Sequence, residues 1–182
     1  MTNVMEVACK NNIEFIVSDR SRYLIKKDVI DYLPRKIVNL HPSFLPWNRG
    51  YHPNYWPIKE GTPYGVTLHF IDEGIDTGPV LFQKMIEVSF NDTGQTLYEK
   101  GVDEVIKLFK IKYRDIASLN FTPVIQDEKN ATSHYAIEIE DKTKIDLNKK
   151  YKALDFINLI RARTFWNGPS LKINKDGSDY YL

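Results

Sequence analysis

The chain has 182 residues, of which 42% are hydrophobic and 27% charged, and its 25 basic and 24 acidic side chains leave a net charge of +1. This composition is ordinary for a globular protein with one core, and the balanced charge gives no support for a nucleic-acid groove. The single cysteine, Cys9, excludes an internal disulfide and a cysteine metal site, and since no apolar run approaches a membrane span and no signal-peptide pattern opens the chain, we expect a cytoplasmic protein.

The amino-terminal part of the chain predicts a strand, a helix and a second strand in succession. Residues 13–17 are rich in β-formers, the apolar residues of 26–33 recur at helical spacing, and residues 36–41 fit a second strand. Pro34 ends the helix because it cannot continue the hydrogen-bond ladder. A strand, crossover and strand predict a right-handed parallel βαβ unit, with a short helix over residues 2–11 before it.

The second strand ends in a polar pair, Asn39 and His41, followed by Pro42. Side chains alternate along a strand, so the two project from the same face, at the carboxyl end where open α/β sheets bind ligands. Asn can donate hydrogen bonds to a developing oxyanion, and His can carry a proton near neutral pH, so the pair suits acyl transfer. As a bare pattern, however, Asn-x-His is more often structural.

Aromatic residues and prolines dominate residues 51–58, which are too punctuated for a long helix. Tyr and Trp with one polar edge can pack, or they can stack on a base, a pterin or a sugar face. Both interpretations stay open for Trp47 and Tyr51, whereas packing is favoured for Trp56.

The next segment predicts a strand, a loop and another strand. Residues 65–71 alternate apolar and polar side chains, which fits a strand with two unlike faces, and residues 80–88 fit a further strand. Between them Asp76 lies in a loop rich in glycine. A loop aspartate is usually a turn-former, and alone it indicates no catalytic role.

The carboxyl-terminal half predicts two helices and a hairpin. Asp92 can cap a long helix, with Gln95 placed as in a capping box. Residues 121–145 look polar and irregular, and His134 within them is expected at the surface. A second helix is expected to open at Asn148, and the tail 171–182 fits a hairpin turning at Asp176-Gly177 that could pair with a partner subunit.

Two separated stretches carry a resemblance to a known family. They are NLHPSFLP at residues 39–46 and GVTLHFIDEGIDTGP at residues 65–79. Together they resemble the folate-dependent formyltransferases, which include glycinamide ribonucleotide, methionyl-tRNA and sugar N-formyltransferases. The resemblance covers about residues 12–115 well, and residues 45–56 look most like the sugar branch.

This resemblance implies an α/β fold. We expect residues 1–120 to form an incomplete Rossmann-like formyltransferase core with a mixed sheet and flanking helices, lacking the strands with which family members begin. Residues 121–182 are expected to form a C-terminal extension with a helix and a β-hairpin.

The family's catalytic trio maps onto Asn39, His41 and Asp76. By resemblance, Asn39 and a protonated His41 would hold the oxyanion of a tetrahedral intermediate, while Asp76 pairs with His41, raises its pKa and helps to relay the proton. The implied formyl donor is N10-formyltetrahydrofolate, and no metal is needed. The cofactor-binding residues expected by resemblance are Asp72, Glu73, Gly74, Ile75 and Gly78.

The sugar branch implies a nucleotide-linked amino deoxysugar as the acceptor. The residues expected to contact it are Ser43, Trp47, Asn48, Arg49 and Tyr51. Arg49 suits a phosphate or a sugar oxygen, although a loop salt bridge is an equal alternative.

Three other functions stay open. Transfer to methionyl-tRNA is disfavoured by the near-zero net charge and by a short tail after residue 121. Hydrolysis of formyltetrahydrofolate would use water in place of the amine. A rival of a different class is a truncated or non-catalytic remnant of the fold that only binds folate or a nucleotide sugar.

Overall fold

The computed structural model describes residues 4–21, 23–142, 144–165 and 171–181, without the side chains of residues 140–144. The elements are α1 (Val4–Lys10), β1 (Ile16–Asp19), α2 (Lys27–Tyr32), β2 (Ile37–His41), β3 (Arg49–Gly50), α3 (Trp56–Glu60), β4 (Gly65–Phe70), β5 (Val80–Met85), α4 (Gly94–Ala117), β6 (Ser133–His134), α5 (Ala136–Lys142), β7 (Lys144–Ile145), α6 (Ala153–Arg163), β8 (Lys172–Lys175) and β9 (Ser178–Tyr181).

The central sheet is mixed, as predicted, with the strand order β1-β2-β4-β5. Strands β1 and β2 are parallel, which confirms the βαβ unit, whereas β2 with β4 and β4 with β5 are antiparallel. The register between β2 and β4 sets Asn39 opposite His69 and His41 opposite Thr67. Polar side chains of two strands therefore meet on one face of the sheet.

Strand β4 is buried along its whole length. Its apolar face packs with the helix α4, in a cluster that includes Val66, Leu68 and Val105. The opposite face is polar, as the alternation predicts, but Thr67 is 0% and His69 1% exposed. These polar groups therefore belong to the interior of the protein and need partners there.

The predicted long helix α4 begins one residue later than its sequence suggests. Its N-cap is Thr93, and the Thr93 and Thr96 side chains each accept from the other's backbone N–H. The expected cap, Asp92 with Gln95, is wrong because Asp92 faces other donors. It accepts hydrogen bonds from Ser89 N and Thr96 Oγ1 and pairs with Lys100.

The segment after α4 is more ordered than its composition predicts. Strand β6 pairs in parallel with β3, which sets Gly50 opposite His134. The expectation that His134 lies at the surface is wrong: it is 6% exposed, and its ring stacks on that of Trp56 with centroids 3.6 Å apart. Trp56 itself is fully buried, as predicted.

The carboxyl-terminal helix and hairpin both form. Helix α6 starts at Ala153 rather than at Asn148, and packs Leu159 and Ala162 into a cluster with Trp56. The hairpin turns at Asp176-Gly177, with φ of +52° and +79°, as the Asp-Gly pair predicts. Strand β8 also pairs with β7, so β9 forms the outer edge of this small sheet. No helix in the described ranges is both long and apolar enough to span a membrane.

Candidate active site

The end of β2 and the loop after β4 bring the expected trio together. Asn39 Nδ2 lies 3.3 Å from Asp76 Oδ1, and His41 Nε2 lies 3.6 Å from Asp76 Oδ2. Asp76 reaches this position with φ of +53°, a conformation that aspartate tolerates better than most residues. Residues 37 positions apart in sequence thus form one cluster.

A second histidine, His69, belongs to the same cluster and was missed in the sequence. Its Nε2 lies 3.2 Å from Asn39 Nδ2 and 3.5 Å from Asp76 Oδ1. Its Nδ1 lies 2.8 Å from the carbonyl oxygen of Phe70, which can only accept, so Nδ1 carries a proton and donates to this carbonyl. The polar face of residues 65–71 was the available signal, but the β2–β4 register was needed to interpret it.

Asp76 is held as a carboxylate. Its side chain is 15% exposed, and Oδ2 accepts a 2.9 Å hydrogen bond from the backbone N–H of Gly50. Burial opposes ionisation, but the charge that His41 carries when it is protonated, the hydrogen bond with His69 and the N–H of Gly50 together lower the pKa of Asp76 well below its ordinary value. The carboxylate is therefore ionised across the physiological range.

His41 has the opposite protonation state to the one expected. Burial lowers its pKa below the ordinary histidine value, and neighbouring His69 adds to this, although Asp76 and the Asn48 backbone favour the charged ring. The expected rise in the pKa of His41 is thus reversed. Burial costs the imidazolium more hydration energy than its attraction to the Asp76 carboxylate recovers. We assign the resting pair as an Asp76 carboxylate and a neutral His41. The carboxylate does not require a charged His41, since Asn39 and Gly50 donate hydrogen bonds to Asp76 whether or not His41 is protonated.

The trio lies on the wall of a cavity of about 630 Å³. From the loop after β4, the expected cofactor-binding residues Asp72, Glu73, Gly74 and Ile75 all line it. Of the expected substrate contacts, Tyr51 lines it, with 52% of its surface exposed. The structure therefore brings most of the expected donor loop to the expected catalytic trio.

Arg49 lies outside the residues that line the cavity and is 3% exposed. Its guanidinium donates to Gln126 Oε1 at 2.9 and 3.0 Å and forms a two-point ion pair with Glu128. Because all of these contacts are made to other residues of the chain, Arg49 has a structural role in place of the expected substrate contact. The ion pair with Glu128 matches the loop salt bridge that the sequence left open as the alternative role of Arg49.

The other expected substrate contacts on this loop also turn inward. Ser43 is fully buried and donates to the carbonyl of Trp47. Asn48 is likewise fully buried and exchanges hydrogen bonds with Thr62. The Trp47 ring stacks on Phe44, with centroids 6.1 Å apart. None of the three lines the cavity, so the loop supports the site without facing it.

Gly78 also lies outside the cavity lining, although it was expected to bind the cofactor. A Cβ there would come within 1.9 Å of the carbonyl oxygen of Phe70. Its own carbonyl accepts a 2.7 Å hydrogen bond from Gln126. The glycine is thus required by close backbone packing.

The remaining cavity wall comes from residues that the sequence analysis did not identify. They are the segment after β1, with Arg20, Tyr23 and Leu24, and residues near the ends of α4 and α6, with Tyr98, Arg163 and Phe165. No local motif marks them, because they meet only through the tertiary fold. Within the described residues, no group of three His, Cys, Asp or Glu side chains is placed to hold a metal ion.

Comparison with known proteins assigns the family. Residues 2–110 match the sequence model of the family described as Formyl transferase. The chain belongs to the formyl transferase family. Residues 138–182 of this formyl transferase also match the N-formyltransferase dimerization C-terminal domain. The α/β formyltransferase core expected from the two motifs is thereby confirmed.

Similar formyl transferases differ in the acceptor they are named for. The methionyl-tRNA formyltransferase of Caldicellulosiruptor saccharolyticus is 34% identical over 164 residues, covering 90% of this chain and 51% of that protein. The dTDP-4-amino-4,6-dideoxyglucose formyltransferase of Mycobacterium bovis is 30% identical over 132 residues, covering 71% of this chain and 55% of that protein. The chain therefore spans about half the length of these relatives.

Solved structures of formyl transferases share the fold. A sugar N-formyltransferase from a Shewanella species superposes with a TM-score of 0.86 at 26% identity, covering 93% of this chain and 68% of that chain. The formyltransferase PseJ from Anoxybacillus kamchatkensis, solved with UDP-4,6-dideoxy-4-formamido-L-AltNAc and tetrahydrofolate, gives a TM-score of 0.72 at 34% identity. It covers 78% of this chain and 74% of that chain.

Proposed function

We propose that this protein transfers a formyl group from N10-formyltetrahydrofolate to the amine of a nucleotide-linked amino deoxysugar. The observation that carries this proposal is the convergence of Asn39, His41 and Asp76 on one wall of a cavity of about 630 Å³. A cavity of this size lies within the range of small-molecule sites. It adjoins a carboxylate, an imidazole and an amide, the groups that formyl transfer uses.

The trio suits the three tasks of formyl transfer. The neutral amine attacks the formyl carbon, forming a C–N bond and an oxyanion, and the bond to the folate nitrogen breaks as that nitrogen takes up a proton. His41 is neutral at rest and can accept the proton that the amine loses, while the Asp76 carboxylate stabilises the resulting imidazolium. When the tetrahedral intermediate collapses, the same imidazolium can donate that proton to the departing folate nitrogen.

The Asn39 side-chain amide is more constrained in the resting site than the sequence implies. Its amide nitrogen lies 3.3 Å from Asp76 Oδ1, to which it donates, and 3.2 Å from His69 Nε2 in the resting site. An oxyanion in the cavity competes with the Asp76 carboxylate for this amide. We therefore assign oxyanion stabilisation to Asn39 together with protonated His41, with the amide turning when the substrate binds.

The donor side of the cavity is formed by the loop of residues 72–75. Asp72 Oδ1 accepts from both Thr77 Oγ1 at 2.6 Å and Gly74 N at 3.1 Å, so the loop is held by its own side chains. Ile71 and Ile75 add apolar surface beside it. A pre-shaped loop with apolar walls suits a flat pterin ring.

The acceptor side is formed by aromatic and basic residues. Tyr51 lines the cavity with 52% of its surface exposed, and the basic residue Arg163 also lines it. An aromatic face suits a nucleobase, and a guanidinium suits a diphosphate. The likeness to PseJ, whose structure contains a nucleotide sugar and tetrahydrofolate, supports the same assignment.

Transfer to methionyl-tRNA is the second candidate. It is favoured by 34% identity to a methionyl-tRNA formyltransferase over 90% of this chain. Against it, the net charge of +1 provides little attraction for the RNA backbone.

Mass spectrometry separates these functions. The protein is mixed with N10-formyltetrahydrofolate and either a panel of nucleotide-linked 3-amino and 4-amino deoxysugars or methionyl-tRNA. We expect a formyl mass increment on one sugar, and none with His41→Ala. Formyl-methionyl-tRNA would establish the second candidate, free formate would indicate hydrolysis, and binding without any product would leave only the non-catalytic alternative.

We also propose that residues 138–182 form a homodimer contact. The match to a dimerization domain supports this, as does the outer strand β9, where Tyr180 and Tyr181 are 55% and 60% exposed. Sedimentation of the wild type and of a Tyr180→Glu, Tyr181→Glu variant tests the role of the hairpin. If this variant is still a dimer, the dimer contact does not depend on these two tyrosines of the hairpin.

A further inference from the structure

Gln126 is a buried amide that contacts the catalytic loop without reaching the cavity. It is 7% exposed, and its Nε2 donates to the carbonyl oxygens of Asp76 at 2.8 Å and Gly78 at 2.7 Å. Its Oε1 accepts from Arg49 at two nitrogens. All four hydrogen-bonding positions of the amide are therefore used.

Arg49 fixes which way this amide points. A guanidinium can only donate, so it must face the oxygen of Gln126 and leave the nitrogen for the two carbonyls. Glu128 holds the outer edge of the guanidinium at 2.7 and 3.1 Å. A backbone bridge between Val80 and Val124 brings the segment that carries Gln126 against the end of the loop.

The loop that Gln126 holds carries Asp76 in an unusual backbone conformation. The Asp76 carboxylate must face Gly50 N and His41 at once, and its main chain has φ of +53°. A backbone in this region persists only where its surroundings hold it. The two hydrogen bonds from Gln126 fall on either side of Thr77 and so fix the path of the loop.

We propose that Gln126 is a positioning residue for formyl transfer, which holds the backbone of Asp76 so that its carboxylate faces His41, while Arg49 sets the orientation of the amide. This inference rests on the proposed function and adds to it a residue outside the cavity. Small errors in the placement of a reacting group reduce turnover more than they reduce binding, because the substrate still fits the same walls.

Gln126→Glu is the first test. The new carboxylate keeps its contacts with Arg49, but it has no N–H to donate and faces the two carbonyls with an acceptor. We expect kcat to fall by roughly ten-fold to a hundred-fold, with the KM of the amino sugar changed by less than about three-fold. Glu128→Gln is the matched control: its target is the exposed end of the same network, so the Gln126 contacts stay, and kcat should remain near that of the wild type.

A second measurement does not depend on turnover. NMR titration of the His41 ring in Gln126→Met, which adds no charge, reports whether Asp76 is still held beside it. The titratable groups that act on this ring are Asp76 and His69, and the Asn48 backbone forms a hydrogen bond with it. We expect its titration to move to lower pH than in the wild type, because the displaced carboxylate no longer favours the imidazolium. A contribution of Gln126 to stability alone would not move it.

The outcomes separate this inference from the proposed function. If the wild type formylates no acceptor, the proposed function fails, whereas the His41 titration still tests the positioning of Asp76. An unchanged His41 titration in folded Gln126→Met overturns the inference, and so does a wild-type kcat in Gln126→Glu.

Discussion

His41 Nε2 lies 3.6 Å from Asp76 Oδ2, and this nitrogen makes no hydrogen bond with any described residue. The separation is too long for a hydrogen bond, although both side chains are largely buried. A buried nitrogen without a partner is costly, and catalytic contacts are often loose before substrate binds. We interpret the gap as the resting form of a pair that closes when His41 takes up a proton.

Asp76→Asn tests the charge of this pair. The amide has the same shape and can still accept from Gly50, so the fold should persist, but it cannot stabilise an imidazolium at His41. We expect kcat to fall by roughly 10²-fold to 10⁴-fold with circular dichroism unchanged. Wild-type turnover in this variant would reduce Asp76 to a turn residue.

Stability should depend on pH through His41. Its pKa is lowered from 6.5 by burial, so as the pH falls the unfolded chain binds the proton first. This contribution is complete above pH 6.5 and is lost as the pH falls below that value towards the folded-state pKa. His52, whose pKa burial and Arg163 also lower, acts in the same direction.

Melting temperatures between about pH 8 and pH 5 check this dependence. We expect a decrease on the acid side in the wild type, and a smaller one in His41→Gln, which keeps a polar side chain that does not titrate. Equal decreases in both proteins would show that His41 is not buried in its neutral form. Asp76 adds a further loss only below its unfolded value of 3.8, because its folded-state pKa is lowered.

Gly50→Ala should destabilise the fold and the site together. Gly50 has φ of +89°, and a Cβ would lie 2.4 Å from the carbonyl oxygen of His134. We expect a loss of about 2–4 kcal/mol in the free energy of unfolding by urea, from backbone strain and the clash. Transfer should also fall, since the Gly50 N–H donates to Asp76.

Gly61→Ala is the matched control for this substitution. Gly61 also has a positive φ, of +69°, but a Cβ at this position would meet no atom within 4 Å. Its cost should be the backbone term alone, about 1 kcal/mol. A loss as large as that of Gly50→Ala would remove the contact with His134 as the cause.

Arg49→Met should lower the stability of the protein, whereas Arg163→Met should weaken binding of the nucleotide sugar. Loss of Arg49 leaves Gln126 Oε1 buried without its donor, so we expect a stability loss of about 1–3 kcal/mol with the KM of the nucleotide sugar little changed. Loss of Arg163, which lines the cavity, should raise that KM by roughly ten-fold. A raised KM in Arg49→Met, with stability retained, would restore Arg49 as a substrate contact.

The sequence predicts the local parts of the site well. Alternation along β2 is enough to place Asn39 beside His41, and the second motif adds Asp76. The sign of the His41 pKa shift was not predictable in this way, because it depends on burial by the whole fold rather than on one neighbour. Composition likewise gave no reason to bury His134, whose position follows from its pairing opposite Gly50.

The walls of the cavity also set the order in which this site can assemble. Asn39, His41 and Asp76 lie close in sequence and can meet once the central strands pair, whereas the cavity needs Ser18 and Phe165 on the same surface. Bringing Ser18 and Phe165 together closes a longer stretch of chain and costs more chain entropy. We therefore expect Asn39, His41 and Asp76 to meet early in folding and the cavity to close late. A nascent chain on the ribosome would therefore bring the proposed catalytic groups together before the cavity beside them is closed.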